Sequence, residues 1–66
     1  MIKNIHQLRV TMEQMERLFQ ALDDMRENVL PRDPRLFALM AEAPLDDLNR
    51  MRAEISEYAQ ELNANA

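Results

Sequence analysis

Apolar residues recur along this chain with the period of a helix packed against another helix. Met15, Leu18, Leu22, Met25 and Val29 follow one another at spacings of three, four, three and four, and Leu48, Met51, Ile55, Tyr58 and Leu62 repeat the series. That alternation keeps side chains on one face at about 3.5 residues per turn, whereas strand alternation is sustained nowhere. The pattern predicts an all-α fold: an antiparallel helical hairpin, a single domain over 1–66, with main helices over about 12–29 and 45–62. Each helix would present a seam of ~18 residues, roughly 27 Å at ~1.5 Å per residue.

The boundaries are read from capping chemistry. Thr11-Met12-Glu13-Gln14 fits a capping box, with Val10 and Met15 placed as a hydrophobic staple. A weaker copy, Asn4-Ile5-His6-Gln7, allows one short helical turn before the main helix or, as the alternative, an uninterrupted helix from Asn4. Leu30-Pro31-Arg32-Asp33-Pro34 breaks the helix, because proline lacks a donor and pushes its predecessor out of the α region. Asp33 before Pro34 then reads as an N-cap with proline at the first helical position, opening a short helix over about 34–41 that lids the hairpin. At Ala43-Pro44 the chain is expected to restart, with Asp46 and Asp47 in a first turn whose dipole favours negative charge. Residues 63–66 are expected to be a disordered tail.

The apolar face of the first helix is wider than one partner helix requires, since Phe19 and Met12 stand beside the seam. A short middle helix covers only one end of it. The remainder points to self-association through Met12, Met15, Leu18, Phe19, Leu22, Phe37 and Met40, most simply a homodimer in which two hairpins form a four-helix bundle. Of the six methionines, those at 12, 15, 25 and 51 fall on the expected core faces, where an unbranched thioether fills irregular space.

Composition removes most chemistry. The chain has no Cys and no Gly, which excludes a disulfide framework, a zinc finger, a thiol nucleophile and phosphate-cradling glycine loops. His6 is the sole histidine and Ser56 the sole serine, and no nucleophile elbow or oxyanion loop accompanies them. Asp23/Asp24 and Asp46/Asp47 are adjacent pairs that diverge by ~100° on a helix, so they read as solvated helix faces rather than a cation site. Glu13 to Arg17 and Asp46 to Arg50 are i to i+4 pairs on solvent faces. The expectation is therefore no enzyme, no cofactor and no metal. Twelve acids against eight bases give −4, distributed as +2 over 1–11, −3 over 12–30, +1 over 31–41 and −4 over 42–66. That field favours a basic protein partner, such as a toxin or regulator, and opposes nucleic acid. A nucleic-acid-associated regulator using Lys3, Arg9, Arg32 and Arg35 is the alternative. No apolar run reaches membrane-spanning or signal-peptide length, so neither a span nor a leader is expected and the cytoplasm is the expected location.

The opening Met1-Ile2-Lys3-Asn4, Gln7-Leu8-Arg9-Val10-Thr11 and Gln14, and the closing Arg52-Ala53-Glu54-Ile55-Ser56-Glu57-Tyr58, resemble the helical segment that precedes the DNA-binding domain in bacterial helix-turn-helix regulators of the Xre and HigA antitoxin type. The resemblance spans both ends of the chain and departs from the pattern at Ile5-His6 and in the Pro-bounded middle. It implies a bacterial, cytoplasmic hairpin that self-associates or holds a toxin or regulator, without a DNA-binding unit of its own. It assigns no role to any single residue.

Overall fold

The computed structural model describes residues 1–65 and contains two helices, α1 (Ile5–Asn28) and α2 (Pro34–Ala64), packed as a hairpin. No strand occurs among the described residues. The molecule is rod-shaped, with principal extents of 50 × 16 × 14 Å.

α1 begins earlier than Thr11. Asn4 is its cap: the Asn4 carboxamide oxygen accepts from the Gln7 N–H at 2.9 Å, and the Gln7 carboxamide accepts from the Lys3 N–H at 2.7 Å. The weaker of the two boxes in the sequence thus starts the helix, and Thr11 lies inside it. The reason is packing beyond the local motif. Leu8 and Thr11 are both half-buried, so the seam gains two further positions if the helix is unbroken. Ile2, ahead of the helix, is only 4% exposed, and the Met1 ammonium lies 3.6 Å from the Glu54 carboxylate, so the first residues fold back onto α2.

The tip follows the proline reading. Val29 and Leu30 both donate to the Met25 carbonyl, at 2.8 and 3.0 Å, and Arg32 and Asp33 both donate to the Val29 carbonyl, at 3.0 and 2.8 Å. These bonds turn the chain without any positive-φ residue, which a glycine-free tip requires. The Asp33 carboxylate then accepts from the Leu36 N–H at 3.1 Å, with Pro34 at the start of α2.

The expected restart at Pro44 does not occur, and the short helix over 34–41 is the first part of a continuous 31-residue α2. Pro44 removes one i to i−4 bond, a substantial penalty in isolation. Phe37, Ala41, Pro44 and Leu48 nevertheless continue the four-three-four series, Pro44 is half-buried, and Ala41 is only 3% exposed. Breaking the helix there would unseat this end of the seam. Asp46 and Asp47 consequently lie in mid-helix, away from any first turn. At the other end the helix extends through Ala64, so residues 63 and 64 of the expected tail are helical, and Ala66 lies outside the described residues.

The seam comprises Leu8, Thr11, Met15, Leu18, Leu22, Met25 and Val29 from α1 against Phe37, Ala41, Pro44, Leu48, Met51, Ile55 and Tyr58 from α2. Leu62 belongs to the same series but is 53% exposed, because α1 has only just begun at its level. The core is thin: α1 contributes no fully buried residue, and α2 contributes Ala41, Leu48, Met51 and Tyr58.

Candidate interaction surface

A two-helix seam leaves two flanks, and seven-residue spacing identifies what each presents. One flank carries Ile5, Met12, Phe19 and Arg26 of α1 and Ala38, Leu45, Arg52 and Ala59 of α2. The other carries Gln7, Gln14, Ala21 and Asn28 with Met40, Asp47, Glu54 and Glu61. We refer to them as the apolar and polar flanks.

On the apolar flank Ile5, Met12 and Phe19 are 76, 51 and 57% exposed, and Leu45 is also exposed. Three shallow depressions line up along it. Ile5, Leu8 and Met12 wall the first. Met12, Met15, Phe19 and Ile55 wall the second. Phe19, Leu22, Phe37, Ala41 and Leu45 wall the third. Met12 and Phe19 each stand between two depressions, so these form one trough from Ile5 to Arg26, about 30 Å long. Its α1 rim carries Arg9, Glu13, Glu16, Asp23 and Arg26.

Arg26 is paired along its own helix: its Nε and Nη2 donate to Asp23 Oδ1 at 3.0 and 2.7 Å. Those hydrogen bonds, then attraction to the same carboxylate and to Glu27, hold the guanidinium above its ordinary pKa. Arg9 pairs with Glu13 at 3.9 Å and Arg50 with Asp47 at 3.5 Å, instead of the expected Glu13–Arg17 and Asp46–Arg50 pairs. Among the described residues, Glu16 and Arg52 enter no ion pair.

The residues expected to mediate self-association divide into three groups. Met12 and Phe19 lie exposed on the apolar flank. Met15, Leu18 and Leu22 are half-buried in the seam, and Phe37 is half-buried at its tip end while also walling the trough. Met40 is exposed but belongs to the polar flank, away from Met12 and Phe19. Sequence reasoning missed Ile5 and Leu45, whose signal is the seven-residue repeat Ile5, Met12, Phe19 and the run Leu45, Arg52, Ala59 beside the second seam.

The basic residues are not brought together: Lys3 and Arg9 stand at the start of α1, while Arg32 and Arg35 stand at the tip, with the stretch from Val10 to Asn28, roughly 29 Å of helix, between. His6 Nδ1 lies 3.3 Å from Arg9 Nη2, and no hydrogen bond joins it to Ser56. No group of three or more His, Cys, Asp or Glu among the described residues is arranged to hold a metal. No described helix is long and apolar enough to cross a membrane. Compared with known proteins, the chain matches no family model, no curated protein and no solved structure.

Proposed function

We propose that the chain is a non-catalytic protein–protein interaction module that self-associates, two hairpins pairing apolar flank to apolar flank as a four-helix bundle. The observation that carries this reading is the unburied trough around Phe19. Its scale fits: the accessible surface is 5338 Å², against about 4,400 Å² for a compact monomer of this mass. The excess of about 900 Å² is close to the ~800 Å² that each partner contributes to a standard interface. The radius of gyration, 15.0 Å, likewise exceeds the ~11 Å of a compact 66-residue domain. Two rods side by side are nearer to a globule than one.

The resemblance to the segment preceding the DNA-binding domain of Xre/HigA-type regulators supports a bacterial, cytoplasmic setting in which the dimer accompanies a toxin or regulator. The net charge of −4 supports a basic protein as that further partner. Sedimentation equilibrium over micromolar to millimolar concentration tests the central statement: a dimer is expected, with a thermal midpoint that rises with concentration. A monomer with a concentration-independent midpoint would overturn it.

A further inference from the structure

The charges left unpaired on the apolar flank bear on how the second copy is oriented, an inference that rests on the self-association just proposed. Two kinds of two-fold axis set one apolar flank on another. An axis along the hairpin places both tips at the same end and lays α1 of each copy against α2 of the other. An axis across it places the tips at opposite ends and lays α1 against α1 and α2 against α2.

Glu16 and Arg52 discriminate between the two. Gln14 and Leu18 share a depression with Met51, so residues 14–18 of α1 are level with Met51 of α2, and Glu16 and Arg52 stand at nearly the same height on opposite helices. Both are exposed, and Glu16 rims two of the three depressions in the trough. An axis across the hairpin, placed to superpose the trough from Ile5 to Arg26 on its copy, passes at the level of Met15 and Glu16, between Met12 and Phe19. It therefore sets Glu16 against the partner's Glu16 and Arg52 against the partner's Arg52. An axis along the hairpin sets Glu16 against the partner's Arg52, twice per dimer. Like charges facing each other at an interface oppose association and unlike charges select the register. The apolar residues agree with the second arrangement: Phe19 shares a depression with Leu45, so it is level with the partner's Leu45 when α1 lies over the partner's α2.

We infer that a second copy of this chain occupies the trough with its tip at the same end, latched by two reciprocal Glu16–Arg52 pairs. Because the chain contains no cysteine, a single Arg32→Cys variant places one nitroxide at each tip. Pulsed dipolar spectroscopy should then report a distance of about 20 Å, roughly two interhelix spacings. A distance near the 50 Å length of the rod would overturn the orientation while leaving the dimer intact. Absence of dipolar coupling in a sample that sediments as a monomer would overturn the self-association itself. Charge reversal adds a second readout: Arg52→Glu should raise the dimer dissociation constant roughly tenfold, and adding Glu16→Arg to the same chain should restore it. Weakening by both changes together as great as the sum of the two would overturn the latch.

Discussion

The two flanks of this hairpin border the same seam and are built from the same two helices, yet they differ in almost every position. Where the apolar flank has Ile5, Met12 and Phe19 on α1, the polar flank has Gln7, Gln14 and Ala21, and where one has Leu45 on α2 the other has Asp47. The seam needs neither set, because its layers close between the helices from Leu8 and Tyr58 at one end to Val29 and Phe37 at the other. Hairpin formation alone would be served by polar residues on both sides. The difference therefore separates residues that make the fold from residues whose burial requires something outside it.

A charge on the apolar flank should have the most severe consequence. Phe19→Glu should abolish association, raising the dissociation constant by at least a hundredfold, since a buried carboxylate without a partner replaces a large aromatic anchor. Ala21→Glu, two residues away on the polar flank, should leave sedimentation unchanged. Equal effects from the two substitutions would show that the flanks do not differ in role.

A substitution in the seam should act on the hairpin itself. Leu48 is buried, and Leu48→Ala should destabilise the hairpin by about 2–4 kcal/mol through lost transfer energy and a residual cavity. It should do so in both dimer and dilute monomer, measured by urea unfolding at two concentrations. Pro44 acts in the opposite sense. Pro44→Ala should stabilise by about 1–2 kcal/mol, because the restored N–H regains a backbone bond to Met40 and the loss of proline's rigidity in the unfolded chain offsets part of that gain. A loss of stability would show that the ring's packing at its half-buried seam position outweighs the missing bond.

Much of this architecture was legible in the sequence, and the parts that were not share a cause. The three-four spacings of Met15–Val29 and Leu48–Tyr58 report burial directly, so helix type and pairing followed from them. The ends of the helices are governed by local motifs in competition with distant packing. Thr11 offered the better capping box, but Leu8 and Thr11 gain burial against α2 only when the helix passes through. Pro44 offered the better break, but Ala41 and Phe37 join the seam only when it is ignored. Neither gain is visible without the partner helix in view. The surface differs: Met12 and Phe19 were marked by being surplus to the seam, whereas Leu45 is followed at seven-residue spacing by Arg52 and Ala59, so no apolar repeat on α2 marks it. Met40 was assigned to the same surface as an apolar residue surplus to one hairpin, and its place on α2, seven residues before Asp47, puts it on the opposite flank.

The cap at Asn4 sets where the apolar flank begins. If Asn4 caps α1, Ile5 is the first residue of the trough and the fold-back of Ile2 is fixed by the helix behind it. Asn4→Ala removes the acceptor for the Gln7 N–H at 2.9 Å and should cost about 0.5–1 kcal/mol, with fraying confined to the first turns. Thr11→Ala should be nearly neutral, within about 0.5 kcal/mol, because a gain in helix propensity opposes the loss of a half-buried methyl. Amide hydrogen exchange separates the two: Asn4→Ala should lower protection at Leu8 and Arg9, whereas Thr11→Ala should leave it unchanged. The reverse result, with protection lost on changing Thr11 and kept on changing Asn4, would move the start of the helix to Thr11. It would also remove Ile5 from the apolar flank, shortening the trough to the stretch between Met12 and Arg26 and reducing the area available to a second copy.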